Sequence, residues 1–207
     1  MVTPSRQLSG KPLAGPTRSL CEQELVMGPT LYTSRLQLRE WSIEDADAAY
    51  QMYGDREVMR FLGNGQIVPD VAAQRIWLAE RIERYRGAAF DGLGVWAVVE
   101  RDTEQVVGTI LLKPLPPTDL QIEVGWHLVR RVWGKGYASE AARVVMRYGF
   151  VDLRLDYILA VIKPENVRSA AVARRIGMRW LERTDRYYDG EELDVFVTER
   201  KSYGQAG

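Results

Sequence analysis

Alternating positions and short apolar runs predict six to seven β-strands along this chain. The segment RLQLRE alternates apolar and polar residues, the strand-like runs GVWAVVE and QVVGTILLK follow, and QIEVGWHLV alternates again. The last three are separated only by RDTE and by a proline-rich loop, and such short connections predict an antiparallel meander. A buried run, DYILAVI, follows, and MRWLERTD and LDVFVTER are joined across a turn with Asp189 and Gly190, which is a hairpin signal.

Four segments repeat apolar residues at the spacing of an amphipathic helix. Ser42 and Asp45 form a capping-box pair at the start of the first, and Pro69 suits the first turn of the second. The fourth covers 166–176 and is expected to end at Gly177 in a left-handed cap. The residues expected to face the core are Ile43, Ala46, Tyr50 and Tyr53 in the first helix, Ala72, Ile76, Ala79 and Ile82 in the second, and Ala138, Ala141, Ala142, Val145 and Gly149 in the third.

The first thirty residues lack this periodicity and contain several prolines and glycines. We therefore expect residues 1–30 to be a flexible leader and residues 31–207 to form a single domain of mixed α/β class. The leader has no acidic residue before Glu22, so an organelle transit peptide stays open as an alternative. It lacks the apolar block of a secretory signal.

The charge and cysteine content exclude several classes of protein. Lys plus Arg and Asp plus Glu number 28 each, so no overall charge attracts nucleic acid or a membrane surface. A single cysteine, Cys21, permits no internal disulfide and no cysteine set for zinc. The apolar runs are far shorter than the roughly 18 residues of a membrane-spanning helix. We expect a cytoplasmic protein with no metal, no nucleic-acid partner and no membrane partner.

Two glycines interrupt the segment RRVWGKGYASEAARVV directly before its helical part. Because glycine costs roughly 1 kcal/mol inside a helix, Gly134 and Gly136 are expected to form the turn that precedes it. The free amides of a helix start, bared by glycine, bind phosphate, and Arg130, Arg131 and Lys135 add positive charge at the rim. A strand, a glycine turn and a helix also occur for packing alone, so this segment by itself leaves both interpretations open.

Two nucleotide-binding motifs fit this loop less well. A P-loop requires Gly-Lys-Ser or Gly-Lys-Thr, which Gly134 to Tyr137 do not supply. A dinucleotide fingerprint is nearly matched by Gly134, Gly136 and Ser139, with Asp156 twenty residues beyond Gly136. That fold, however, requires a strand buried on both faces before the loop, whereas QIEVGWHLV alternates. Asp156 also stands at the start of its strand, not at the end.

The segments EVGWHLVRRVWGKGYASEAARVVMRYGF and KPENVRSAAVARRIGM resemble the acetyl-CoA signature of the GNAT superfamily of N-acetyltransferases, particularly its RimJ/RimL-like branch. The family's pyrophosphate loop, R or Q-x-x-G-x-G or A, corresponds to Arg131 through Gly136, and its second block to Asn166 and to Gly177 with Met178. The resemblance extends from about Thr33 to Arg200. It implies a GNAT fold of α/β (α+β) type, with a central mixed, mostly antiparallel twisted sheet of six to seven strands and about four flanking helices.

The resemblance also implies how acetyl-CoA binds. Backbone groups near Leu128 and Val129 are expected to pair with the pantetheine arm, and the amides from Arg131 to Ala138 with the pyrophosphate. Asn166 and Ser169 are expected to face the pantetheine, although Asn166 also suits a simple N-cap. The implied binding residues are Leu128, Val129, Arg131, Gly134, Lys135, Gly136, Tyr137, Ala138, Asn166 and Ser169.

The implied reaction is transfer of an acetyl group to a primary amine by direct attack through a tetrahedral intermediate. Glu123 is the candidate base, with His127 as the second candidate, and a strand carboxylate paired with an arginine is the alternative for Glu123. Many relatives place a tyrosine acid where this chain has Ala173, so Ser169 or a water would protonate the thiolate, unless it leaves unprotonated.

The acceptor stays open between a protein N-terminus and a small molecule. Residues 53–65 and the hairpin residues Tyr187, Tyr188, Asp189, Glu191 and Glu192 are expected to wall the acceptor side. A monomer or a homodimer is expected. The alternative to an enzyme is a non-catalytic CoA-binding sensor or interaction module that uses the same loop.

Overall fold

The structure, a computed structural model, describes residues 28–85, 92–117 and 121–203. Its centre is one eight-stranded sheet of order β1-β2-β3-β4-β5-β6-β8-β7, antiparallel throughout except between β5 and β6. The strands are β1 (Leu31–Tyr32), β2 (Leu36–Glu40), β3 (Gly94–Glu100), β4 (Gln105–Pro114), β5 (Ile122–Leu128), β6 (Tyr157–Ile162), β7 (Arg179–Thr184) and β8 (Leu193–Glu199). The predicted mixed, mostly antiparallel sheet and its β3–β4–β5 meander are confirmed.

The sheet has one strand more than the six to seven predicted, because β1 was missed. This strand pairs only Leu31 with Leu38 and Tyr32 with Gln37, and two residues are too few to show an alternating pattern. The described residues include 28–30, and the Trp96 indole donates to the carbonyl of Pro29 at 3.0 Å. Residues 1–27 of the predicted leader, with Cys21, lie outside the described residues.

The helices are α1 (Ala46–Tyr53), α2 (Arg56–Met59), α3 (Val71–Tyr85), α4 (Tyr137–Val151), α5 (Val167–Arg175) and α6 (Arg200–Tyr203). The four longer ones are the four predicted, whereas α2 and α6, with four residues each, are too short to show periodicity. The predicted capping residues meet, because the Ser42 amide donates to Asp45 Oδ2 at 2.9 Å. They open a short 3-10 turn, Ile43–Asp45, that leads into α1.

The predicted buried face of α3 is wrong. Ile76 is 60% exposed, and the fully buried positions are Gln74 and Leu78. They are four residues apart, so they occupy one side of the helix, about a third of a turn from the predicted stripe. The pattern of apolar residues did not predict this face, because one of its two inward residues is polar. Neither amide atom of Gln74 has a hydrogen-bond partner among the described residues.

The helix α4 packs its small and apolar face against the middle of the sheet. Ala142, Val145 and Met146 are fully buried there, and Ala141 is 1% exposed. Burying each large aliphatic side chain contributes about 1.5–3 kcal/mol, so this face fixes α4 across the sheet. The amino end of α4 is thereby held beside the end of β5.

The parallel pair β5 and β6 separates almost as soon as it forms. Glu123 and Leu159 are its one paired position in the described chain, and beyond them the two strands diverge. Unpaired strand backbone is thus exposed at the centre of the sheet, next to the amino ends of α4 and α5. This opening between β5 and β6 is a candidate ligand site.

Within the described ranges, no helix combines the length and the apolar character needed to cross a bilayer. The same residues contain no cluster of three or more His, Cys, Asp or Glu side chains able to hold a metal ion.

Candidate active site

The glycine loop begins with a 3-10 turn at Arg130–Val132 and ends where α4 starts at Tyr137. Gly134 has φ 81° and Gly136 has φ 85°, so both adopt the left-handed conformation that other residues adopt only at a cost of about 1–2 kcal/mol. The two glycines therefore lie in the turn and not inside the helix, as the sequence predicts.

The first turn of α4 presents free backbone amides. Its first intrahelical bond runs from the Glu140 amide to the Gly136 carbonyl at 3.0 Å. The amides of the preceding residues, Tyr137 to Ser139, have no intrahelical acceptor and point out of the positive end of a 15-residue helix. A phosphate group is the ligand that such an arrangement favours.

The cations predicted for the rim of this loop are mostly engaged by other residues. Arg130 lies 2.6 Å from Asp55, and Arg131 donates to the side chain of Gln105 at 2.8 Å. Lys135 extends over the ring of Tyr137, 6.0 Å from its centroid. The hydroxyl of Tyr137 donates to Glu100, which lowers the pKa of that carboxyl, so Tyr137 offers the loop its backbone amide and not its side chain.

A second network holds the loop from outside. Arg35, which precedes β2, donates to the Lys135 carbonyl at 3.1 Å and lies 2.5 Å from Glu140 of α4. Its guanidinium also covers the ring of Tyr137 at 4.6 Å. Arg35 is not among the predicted site residues, because a single arginine in a strand-leading turn carries no local signal for this role.

The backbone groups of Leu128 and Val129 face different ways. The Val129 amide donates to the Val107 carbonyl at 3.0 Å and is thus used by the sheet. Successive residues of a strand alternate their hydrogen-bonding side, so the Leu128 amide points away from β4 into the opening beside β6. The Leu128 carbonyl accepts from the Trp133 indole at 2.8 Å.

The two polar residues predicted on α5 lie on the same opening. Asn166 Oδ1 accepts from the Ser169 amide at 3.1 Å, as an N-cap does. Both side chains line the cleft described next, and the cap leaves the amide nitrogen of Asn166 free to donate. Ala173, where many relatives have tyrosine, is fully buried.

A cleft of about 840 Å³ continues from the opening onto the face of β4 and β5. Its floor is built from three pairs of directly opposed residues, one charged, one apolar and one polar. The pairs are Lys113 with Glu123, Leu111 with Gly125, and Thr109 with His127. The predicted base and the only histidine of the chain therefore share one face, separated by a glycine without a side chain.

Glu123 is buried at 5% exposure and lies within a three-residue network. Lys113 Nζ is 2.5 Å from Glu123 Oε1 and donates to the Tyr188 hydroxyl at 2.8 Å, while that hydroxyl donates to the same Oε1. Burial and the Glu123 charge raise the pKa of Tyr188 well above its usual range, so its proton is retained. Glu123 Oε2 has no hydrogen-bond partner among the described residues.

The partner of Glu123 is therefore a lysine and not the arginine considered as its alternative role. Lys113 was missed, although the register of the β4–β5 hairpin places it directly opposite Glu123. That register depends on the proline-rich connection, whose length alone does not fix the pairing.

The His127 ring contacts the side chain of Tyr53 on α1. Its Nδ1 lies 3.2 Å from the Tyr53 hydroxyl, which lies 2.9 Å from Thr109 Oγ1. Burial, followed by the positive charges of Arg81 and Lys113, lowers the pKa of His127 to about 3. The imidazole is neutral at physiological pH, and a base of such low pKa is poorly suited to take a proton from an ammonium.

The predicted acceptor walls are correct in part. Residues of the 53–65 segment line the cleft, as do Tyr188, Asp189 and Glu191. Tyr187 and Glu192 do not, because Tyr187 is buried in a separate cluster with Leu115 and Leu159 and bonds to Gln121, while Glu192 lies beside Arg183. Lys163 connects the two walls, 2.5 Å from Glu191 and 3.0 Å from the Gly63 carbonyl.

Known proteins resemble this chain in sequence. The sequence model of the acetyltransferase (GNAT) domain family matches residues 35–179. The uncharacterized N-acetyltransferase p20 of Bacillus licheniformis is 32% identical over 173 residues, which cover 81% of this chain and 93% of that protein. The FsC-acetyl coenzyme A-N(2)-transacetylase of Aspergillus fumigatus is 29% identical over 170 residues, covering 78% of this chain and 69% of its own.

A solved structure shows the same fold. RimL, a ribosomal L7/L12 α-N-protein acetyltransferase in complex with coenzyme A, superimposes with a TM-score of 0.67 at 16% identity, over 81% of this chain and 95% of that chain. The chain thus belongs to the GNAT acetyltransferase family of RimJ/RimL type. It is an N-acetyltransferase with acetyl-CoA as its cosubstrate.

Proposed function

We propose that this N-acetyltransferase moves the acetyl group directly from acetyl-CoA to the neutral nitrogen of a primary amine. The observation that carries the proposal is that a single strand, β5, runs from Glu123 on the floor of the cleft to the glycine loop at the amino end of α4. The nitrogen bonds to the acetyl carbonyl carbon, a tetrahedral oxyanion forms, and the carbon–sulfur bond then breaks. No cysteine lines the described part of the cleft, which favours direct attack over an acetyl-enzyme.

Acetyl-CoA would bind along the opening between β5 and β6. The loop amides and the first turn of α4 would hold the pyrophosphate, with Gly134 and Gly136 allowing its close approach. The amide of Asn166 would donate to the pantetheine. The Leu128 amide, which points into the opening, is suited to stabilise the oxyanion.

Glu123 would remove the proton that the acceptor loses. An amine must be deprotonated before it attacks, and a lysine-type amine with a pKa of about 10.4 needs a base more than an α-amine at about 7.7–8.0. Lys113 and Tyr188 occupy Oε1, so Oε2 is the oxygen available to a substrate or to a bridging water. Lys113 and Tyr188 fix the orientation of the carboxylate.

Ser169 would protonate the departing thiolate, either directly or through a water. It lines the cleft one turn into α5, whereas Ala173 is buried and carries no proton donor. A simple thiol has a pKa of about 8.5, so the thiolate is a modest base and requires only weak acid assistance.

The acceptor is proposed to be either a protein N-terminal α-amine or a small-molecule amine. The name of RimL supports the first class and the name of the Aspergillus fumigatus enzyme supports the second. No contribution from nucleic acid or membrane is proposed.

The test uses Glu123→Gln, with Glu192→Gln as a matched control outside the cleft. Release of the free CoA thiol is measured with acetyl-CoA and a panel of peptides, amino acids, polyamines and aminoglycosides, and CoA affinity is measured by calorimetry. We expect Glu123→Gln to keep CoA affinity and to lose turnover about 100-fold or more, most strongly at low pH, with no change in the control. Wild-type protein that binds CoA but releases none with any amine would favour the sensor alternative.

A further inference from the structure

We infer that the acceptor is a free α-amino acid with an aromatic or large apolar side chain, and that Arg81 binds its carboxylate. This inference rests on the proposed function and specifies the acceptor class. Arg81 projects from α3 into the cleft, where it is half-buried. Its guanidinium lies over the ring of Tyr53, 5.1 Å from the centroid, and hence close to His127, which Tyr53 contacts.

Arg81 is the cleft cation that lacks an acidic partner within the described residues. Lys113 is paired with Glu123, and Lys163 is paired with Glu191. A half-buried charge is costly unless an anion compensates it, and a guanidinium presents a planar fork that matches a carboxylate. Asp189 also lines the cleft without an ion pair among the described residues, but it is exposed, so its charge does not require a partner.

The positions of the floor residues place this cation beside the expected amine. Alternate residues of a strand lie about 7 Å apart, so Gly125 is about 7 Å from Glu123 on one side and from His127 on the other. The Leu111 side chain covers Gly125, with its atoms 3.1–3.4 Å from the place where a Cβ would stand, so an apolar surface lies between Glu123 and His127. An α-amine that reaches Glu123 over this surface would direct its own carboxylate toward the His127 end, where Arg81 lies.

The remaining walls suit an apolar body. Phe61, Leu62, Trp77 and Trp126 line the cleft, and Trp77 is 40% exposed. Aromatic and aliphatic walls favour an aromatic or large apolar side chain. A polyamine would instead place a second ammonium near Arg81, and like charges at this depth repel each other.

The experiment compares three amines that share the phenethylamine skeleton. They are L-phenylalanine, its amide, in which an uncharged carboxamide replaces the carboxylate, and phenethylamine itself. The amide also represents the end of a peptide chain. We expect kcat/KM for phenylalanine to exceed that for the other two by about 10- to 100-fold, because only phenylalanine offers a charge-assisted bond to Arg81. Arg81→Gln should remove most of this preference through KM, Arg81→Lys should keep part of it, and Arg84→Gln, on the exposed side of α3, should keep all of it.

Folding and cosubstrate binding are checked by thermal melting and by CoA calorimetry of each variant. Equal rates for the three acceptors, or an Arg81→Gln variant with the wild-type preference, would overturn the carboxylate assignment while the N-acetyltransferase proposal stands. Turnover with peptides or polyamines but not with phenylalanine would also overturn it. Absence of CoA release with every amine tested would instead contradict the proposed function.

Discussion

Lys113 and Glu123 face each other across β4 and β5, with 2.5 Å between the ammonium nitrogen and the nearer carboxylate oxygen. Both side chains are largely buried, at 16% and 6% exposure. The ion pair is the charged end of the cleft floor, and it engages one carboxylate oxygen, Oε1, while Oε2 has no hydrogen-bond partner among the described residues.

Removing both members of this ion pair should lower the free energy of unfolding by less than the sum of the two single removals. Lys113→Met leaves a buried carboxylate without its cation and should lower the free energy of unfolding by about 3 kcal/mol. The double variant Lys113→Met/Glu123→Gln should be less destabilised than the sum of the single variants. Urea unfolding of the four proteins gives the coupling free energy.

The matched control is the exposed pair Arg200–Asp156, whose side chains are 47% and 81% exposed at 2.7 Å. Its double-mutant cycle should give almost no coupling, because water screens exposed charges. Equal coupling in the two cycles would contradict a buried, desolvated Lys113–Glu123 pair.

Asn166 caps α5 and is proposed to bind the pantetheine, and these two roles can be separated. Asn166→Asp keeps an oxygen to accept from the Ser169 amide, so the stability of α5 should be retained within about 0.5 kcal/mol. It removes the amide donors, so CoA should bind about tenfold more weakly by calorimetry. Asn166→Ala should lose both, with about 1 kcal/mol of stability. Wild-type CoA affinity in Asn166→Asp would show that Asn166 is a cap alone.

Gly134 and Gly177 form a matched pair for the phosphate loop. Both have positive φ, 81° and 89°, and a Cβ added at either would meet nothing within 4 Å. Alanine at either position should therefore cost about 1–2 kcal/mol of stability through the backbone alone. Only Gly134→Ala should weaken CoA binding, by tenfold or more, because Gly177 lies at the far end of α5. Equal CoA affinity in the two variants would remove the loop from the binding site.

His127 should make the stability depend on pH in a defined window. Its folded pKa of about 3 lies below the unfolded value of 6.5, so only the unfolded chain takes up a proton as the pH falls below 6.5. The contribution of His127 is therefore complete above pH 6.5 and is lost as the pH approaches 3. From pH 7 to pH 5, before most carboxylates titrate, the wild type should lose about 1–2 kcal/mol more than His127→Asn.

This window is accessible because the chain has a single histidine, whose ring signals can be followed by NMR. The His127 ring of the folded protein should not take up a proton above about pH 4. An imidazole that titrates near pH 6.5 would contradict the buried Tyr53–His127 contact.

Gln74 is a site where a simpler side chain should stabilise the fold. It is fully buried and its amide has no partner among the described residues, so it retains an uncompensated cost of desolvation. Gln74→Leu should raise the free energy of unfolding by about 1–2 kcal/mol in urea titrations. Gln51→Leu, on an exposed helical position of α1, should change it by less than about 0.5 kcal/mol. A less stable Gln74→Leu variant would indicate that the amide does have a partner.

Local patterns predicted the elements that depend on neighbouring residues. Seven of the eight strands follow from alternation or from short apolar runs bounded by turn signals, and the glycine turn before α4 follows from the conformational cost of Gly134 and Gly136 in a helix. Glu123 on a cleft face follows from the alternation of β5. Each of these depends on residues a few positions apart, whose geometry the backbone fixes.

Contacts between distant segments were not predictable in this way. Lys113 and Tyr188 meet at Glu123 from positions 75 residues apart, and Arg81 reaches the same cleft from α3. Their meeting depends on sheet register and on which side of α3 faces inward. Because the inward side carries the polar residue Gln74, the apolar pattern predicted that Ile76 would face the core instead. The partners of the candidate base were therefore hidden, although the base itself was not.

Because β5 and β6 have a single paired position, the sheet consists of two halves that are joined by strand pairing at one place only. In the proposed complex, the pantetheine would supply the missing partner for the inner edge of β5, so the cosubstrate would act as a ninth, non-peptide strand. Heat resistance and slow exchange of the central amides should then rise together with the concentration of coenzyme A, since a ligand that binds only the folded state stabilises it by mass action.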